Sequence, residues 1–431
     1  MNHPPVRATL GLLVAGCLCV SLFATPASSS SVPKIDVTTL KASDFFKPGK
    51  SFATQPANFY YFHNMDQLGF AQYWSRRSGT VYALKAASSP FQSSYVYRGK
   101  HYALDDYFKR NFVTGFLVLK DDQILDEKYF YGANEHSRYL SNSNAKSVTS
   151  TLVGIALEQG KIKSLDDKVT DYLPYLKASG FARNTIRQCL LMATGIGATE
   201  SIGQGPVQGG NYLDPHSSVL QWIAAGIHGS PSFTTLLMEL KANPKIQPGI
   251  TFDYESVDTQ VLGQLVEKVT GQPLNTYLER QLWSKLGAQS DSYLYGAKTQ
   301  PDICAYGCLN ATLRDYARFG LMAMNGGVLG GTRVVSERWV KESTTPPKGF
   351  APLPPGKNDT AFQGYAYQWW IPYGNDHAFE ALGIFGQMIY VNPTRHVVIV
   401  QAAAWPEPDT DARWDETQKV ADTIAAQLGD Q

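Results

Sequence analysis

The stretch from Ser141 to Gly160, SNSNAKSVTSTLVGIALEQG, constrains this chain more than any other. It reads as one helix. Ser141, Asn142 and Ser143 offer side-chain oxygens to the unsatisfied backbone N–H groups of a helix start. Val148, Leu152, Ile155 and Ala156 recur at the helical period and build an apolar face. Gly160 ends the element, with Lys161 and Lys163 just past its negative pole. Ser143 and Lys146 stand three apart in the first turn and share a face. A hydroxyl beside an amine, at the positive end of a helix, is a nucleophile with its own proton acceptor. The plainer reading is a cap and a solvated lysine. The same spacing recurs from Ser31 to Lys34, where Pro33 and a serine-rich surround forbid a helix.

The chain begins with a segment that predicts export. Arg7 is followed by an apolar run, Leu10 to Phe23, and by small residues, Ala24 to Ser30. This pattern fits a secretory signal over residues 1–27, cleaved near Ala27, and a periplasmic or secreted protein. The run is short for a membrane span. Val14-Ala15-Gly16-Cys17 resembles a lipobox, which would anchor the protein through Cys17. The apolar residues that continue through Leu18 to Phe23 argue against it. A buried N-terminal helix is a third reading. No later run is long and uncharged enough to cross a membrane.

With a net charge of +1, the chain carries no basic surplus that would point to nucleic acid. Removal of the leader leaves Cys189, Cys304 and Cys308, a poor disulfide framework. One bridge is available in an oxidising compartment, most simply Cys304 to Cys308. No cysteine–histidine spacing suits zinc, and no metal is expected.

Residues 28–105 show scattered aromatics without a period and read as an arm packed on a main domain of residues 106–431. Gly115 to Lys120 and Ile124 to Tyr131 form a hairpin about Asp121-Asp122. Helical patterns follow at Leu165–Leu176, Ile186–Met192, Trp222–Ala225, Phe233–Lys241, Asp258–Thr270, Pro273–Leu286 and Ala311–Met324. Residues 197–218 are a long polar, glycine-rich loop. Phe385 to Val391 and His396 to Ala403 make a second hairpin, and Asp411 to Leu428 a last helix. The expected fold is therefore α/β (α+β) in two lobes. An antiparallel sheet from 106–141 and 375–431 is flanked by helices, and a mostly helical region spans 142–374. A cleft between lobes is the expected place of a site.

A second motif, Tyr254-x-Ser256, follows a turn at Pro248-Gly249 and opens the Asp258 helix. Alone it is weak, because Tyr73, Tyr139 and Tyr390 also have Ser or Asn two residues on. Together with Ser143-x-x-Lys146 it resembles the serine β-lactamase superfamily, class C branch. The likeness is greatest to the 6-aminohexanoate-dimer hydrolase and carboxylesterase relatives. It runs from about Tyr102 to Leu428. It includes the segments from Ser164 to Pro174, Asn310 to Gly320 and Gly383 to Gln387, in order and at matching spacing.

That resemblance implies a β-lactamase/transpeptidase-like fold and a serine hydrolase acting on a small ester or amide through an acyl-enzyme, without a cofactor. Ser143, Lys146 and Tyr254 would be catalytic, and the Ser143 and Ile384 N–H groups would form the oxyanion hole. Gly383 would let a substrate backbone approach. Ser256, and Tyr212 within Asn211 to Pro215, would contact substrate. Lys146 serves as base only if neutral, or else holds Tyr254 as phenolate; the pair shares one proton. One departure stands out. Ala381-Leu382-Gly383 replaces the Lys-Thr-Gly of β-lactamases, which removes the cation that helps hold a β-lactam carboxylate. Among the histidines only His377 is near a motif, and the mechanism needs none. Rival readings are a peptidoglycan-acting D-aminopeptidase, a weak penicillin-binding protein, or a non-catalytic binding protein on the same fold.

Overall fold

The computed structural model describes residues 49–87, 91–197, 231–296, 302–348, 362–374 and 376–429, with isolated positions between 34 and 47. The expected leader, the Trp222–Ala225 helix and Tyr212 lie outside the described residues.

An eight-stranded sheet forms the centre. Its order is Phe362–Ala366, Trp369–Pro372, Phe379–Gly383, Gln387–Asn392, Val397–Ala403, Val113–Lys120, Gln123–Tyr129 and Lys85–Ala86. Every neighbouring pair is antiparallel except the last, where Lys85–Ala86 runs parallel to Gln123–Ile124. The central strands are apolar throughout because both faces are covered. Phe116, Val118, Val397 and Ile399 point to one side, where Val420, Ala421, Ile424 and Leu428 of the helix Asp411–Gly429 meet them. Leu117, Leu119, Val398 and Val400 point to the other, beneath Ala317 and Leu321 of the helix Leu313–Met324 and Val148 and Leu152 of the helix Asn144–Glu158.

Two expectations need correction. The region 142–374 is not helical to its end: Phe362–Ala366 and Trp369–Pro372 pair as a hairpin at the sheet edge. Its turn is Tyr367-Gln368, both at positive φ (35° and 73°), and neither residue is the glycine or asparagine that normally advertises such a turn. The second hairpin begins at Gln387 rather than Phe385. Phe385 and Gly386 (φ 65° and 85°) are the turn, and the preceding strand, Phe379–Gly383, ends at Gly383. The Ser143 helix has no solvated face, since every residue from Asn144 to Ala156 is buried.

The arm supplies a strand to a second sheet, in the order Ala71–Ser75, Ser292–Gly296, Leu309–Ala311 and Tyr139–Leu140. Phe52, Tyr61, Phe62, Met65 and Phe70 bury against Phe385, Ala404 and Trp405. Asn58 Nδ2 donates to Trp405 O at 3.1 Å, and the Phe62 and Phe385 rings lie 5.3 Å apart. The arm thus buttresses the turn that follows Gly383.

Glu380 is fully buried in the strand Phe379–Gly383. Burial, with Asp422 adding repulsion, pushes its carboxyl well above the usual range. A raised carboxyl pKa means that the unfolded chain loses its proton first. Stability is therefore unpenalised below the ordinary value of 4.5 and falls as pH rises, by at most about 1.4 kcal/mol per pH unit. Glu380→Gln, which mimics the protonated acid, is expected to match the wild type at pH 4 and to exceed it at pH 8 in urea unfolding. Parallel pH–stability curves would refute this assignment.

Candidate active site

The site is built where two helices begin. Ser143 sits at the entry to the helix Asn144–Glu158 with φ −66° and ψ −6°, already helical, so its side chain caps nothing. The capping role expected of it is therefore wrong: an αR residue directs its hydroxyl away from the N–H groups ahead. Asn142, just before it, takes a left-handed φ of 43°. Asparagine tolerates this better than most residues. Its Nδ2 donates to Ile384 O at 2.8 Å, tying the turn at Ser143 to the turn after Gly383.

Lys146 is 1% exposed, which removes the reading of a solvated surface lysine. Its Nζ donates to Ser143 Oγ at 2.8 Å and to Tyr306 O at 3.1 Å. Two rings flank it, with Nζ 5.0 Å from the Tyr254 centroid and 5.5 Å from that of Tyr306. A buried amine is costly without hydrogen bonds, and these acceptors and ring faces offset that cost.

Tyr254 is carried on the segment before the helix Ser256–Thr270. Asp253 N donates to Met192 O at 2.8 Å and Gly249 N to Ala193 O at 2.7 Å, which hold the segment against residues 192–193. The Tyr254 ring is 2% exposed and stacks on Trp370 at 5.6 Å, with Tyr365 edge-on at 6.2 Å. Ser256 starts its helix, 8% exposed. Val257 and Val261 share the core with Val148 and Leu152, so packing between the two helices brings their N-terminal ends together. This joins Ser143, Lys146 and Tyr254, which are far apart along the chain.

Gly383 completes the arrangement in a way the sequence reading did not anticipate. A Cβ there would stand 2.6 Å from Ser141 O and 2.9 Å from both Asn142 Cβ and Ser143 N. The close approach is thus made by the chain's own turn at Ser141 to Ser143, and glycine is required for that fit. Ile384 follows immediately. Among the described residues no acceptor meets the backbone N–H of Ser143 or of Ile384. His377 is exposed and lies before the strand Phe379–Gly383, whereas the group that meets Ser143 Oγ is the buried Lys146 amine.

Tyr306 and Trp370 were missed, and Asn142 was read only as a helix cap. Tyr306 lies between Cys304 and Cys308, which the structure joins in a disulfide. The short Cys-Ala-Tyr-Gly-Cys ring was the only available signal, and it reads as structural. Trp370 lay unassigned in the region expected to be mostly helical.

Comparison with known proteins agrees with this geometry. A family model described as beta-lactamase matches residues 111–422. The chain is 32% identical over 315 residues to the 6-aminohexanoate-dimer hydrolase of Paenarthrobacter ureafaciens, covering 71% of this chain and 76% of that one. A solved structure from Bacillus anthracis, provisionally assigned as a 6-aminohexanoate-dimer hydrolase, superposes with a TM-score of 0.77 at 22% identity. It covers 92% of this chain and 98% of the other. A family VIII carboxylesterase shares the fold at a TM-score of 0.53 and 18% identity, over 75% and 95% of the two chains. The motifs, the central sheet and the matched span lead to one conclusion: the chain belongs to the beta-lactamase family of serine hydrolases.

Proposed function

We propose that the protein is an exported esterase or amidase whose nucleophile is Ser143. The observation that carries the reading is the 2.8 Å contact between Ser143 Oγ and the buried Lys146 amine. Ser143 Oγ attacks the substrate carbonyl carbon while its proton passes to the Lys146–Tyr254 pair. The Ser143 and Ile384 N–H groups receive the oxyanion, and a donor of this kind typically contributes about 3–4 kcal/mol. Collapse breaks the bond to the leaving alkoxide or amine, which takes the proton through Tyr254 and leaves an acyl-serine. Water then releases the acid by the reverse proton path. Ser256 lies beside Tyr254 at the helix start and is assigned to substrate binding. Tyr212 keeps the same assignment from the sequence resemblance alone. The relative's name, a hydrolase of 6-aminohexanoate dimer, supports small linear amides as one substrate class. The Cys304–Cys308 bridge supports an oxidising compartment, in keeping with the leader.

Ala381-Leu382-Gly383 carries no cation where a β-lactam carboxylate would need one. The protein is therefore expected to hydrolyse short p-nitrophenyl esters and to gain one adduct from a fluorophosphonate probe, read by intact mass. Penicillin should acylate it slowly or not at all. Efficient cephalosporin turnover would overturn the assigned preference, and an unlabelled protein would overturn the function.

A further inference from the structure

The disulfide ring Cys304-Ala305-Tyr306-Gly307-Cys308 has contacts that a mere staple would not need. Two side chains one turn apart on the helix Asn144–Glu158 reach successive carbonyls of it. Lys146 Nζ donates to Tyr306 O at 3.1 Å and Thr149 Oγ1 to Ala305 O at 2.7 Å. In an extended strand, successive carbonyls point to opposite sides. Here both face the same helix, so the backbone must stay bent at Ala305-Tyr306. A covalent closure across this short span holds such a bend.

The helix Ser256–Thr270 also clamps the ring. Gln260 Nε2 donates to Ile303 O at 2.9 Å, and its Oε1 accepts from Ala305 N at 3.0 Å. Gly263 lets that helix come close, since a Cβ there would stand 2.4 Å from Ala305 Cβ. Both helices that carry the site therefore grip the ring, and its Tyr306 carbonyl is an acceptor for the amine that activates Ser143.

We infer that the Cys304–Cys308 ring is the positioning element for Lys146, with Tyr306 its positioning residue, and that opening the ring slows acylation of Ser143 without weakening substrate binding. This rests on the assignment of Ser143 as nucleophile.

The test compares the full-length wild type with Cys304→Ser/Cys308→Ser, both checked for folding by circular dichroism. The double variant is expected to react with a fluorophosphonate about tenfold more slowly. For a short p-nitrophenyl ester, kcat should fall about as much while KM stays within about twofold. The pH at half-maximal kcat/KM should also be displaced, because the environment of Lys146 has changed; a purely structural bridge would leave that midpoint in place. Rates within twofold of wild type with an unmoved pH midpoint would overturn the inference. If the double variant does not fold, Thr149→Val carries the test. It frees the Ala305 carbonyl with the bridge intact, and an acylation rate about threefold lower is expected, whereas an unchanged rate overturns the inference. A wild type inert to the probe would instead overturn the Ser143 assignment, and this proposal with it.

Discussion

Ser143→Ala is expected to abolish turnover of short esters, with a loss of about 10⁴-fold or more, while circular dichroism and urea unfolding stay close to wild type. The size follows from the role. Without the hydroxyl no acyl-enzyme forms, and only residual stabilisation by backbone donors and binding remains. The fold should tolerate the change because Ser143 caps no helix and its turn is held by other contacts, chiefly Asn142 Nδ2 to Ile384 O. The variant should also lose all labelling by a fluorophosphonate. Lys146 keeps its hydrogen bond to Tyr306 O, so the buried amine is not stranded. Turnover retained within tenfold would remove Ser143 from the chemistry and leave the site without its nucleophile.

Asp315→Ala is expected to give the largest loss of stability, about 3–5 kcal/mol in urea unfolding. Asp315 and Arg318 form an ion pair at 2.9 Å with side-chain exposures of 0% and 2%. The carboxylate also accepts from Gln289 N at 2.8 Å, Ser290 N at 3.1 Å and Thr312 Oγ1 at 2.8 Å. Arg318 in turn donates to Tyr82 O at 2.9 Å, which links the helix Leu313–Met324 to the arm. Truncation strands the guanidinium in a dry interior and leaves two backbone N–H groups unpaired, and both effects act in the same direction. Replacing both partners by apolar residues of similar size should cost much less. Equal losses for the single and double replacements would show that the pair's charge is not the source of the effect.

Much of the site was legible because its chemistry is written in short local patterns. Ser143 and Lys146 fall in one helical turn, and local spacing alone makes them neighbours. Tyr254 stood out by its place before the helix Ser256–Thr270, and the family likeness linked the two motifs. The hairpin Val113–Lys120 with Gln123–Tyr129 was equally plain, because an apolar run and an Asp-Asp turn advertise it. What escaped notice lacked a local signature. The Tyr367-Gln368 turn has residues that do not favour positive φ, so the edge hairpin went unassigned within a region expected to be mostly helical. Gly383 was recognised as a point of close approach, yet the atoms that approach it come from Ser141 to Ser143, across the fold.

Residue types at fixed short spacing were enough to single out Ser143, Lys146 and Tyr254 as candidates and to point to the family. Tertiary structure alone decided three things: that Lys146 is buried against Tyr306, that the arm underpins the turn after Gly383, and that Gly383 serves the chain's own backbone. Each of these joins segments distant in sequence. Such contacts are set by how apolar faces stack and by which backbone groups find partners, and neither leaves a periodic mark in the order of residues.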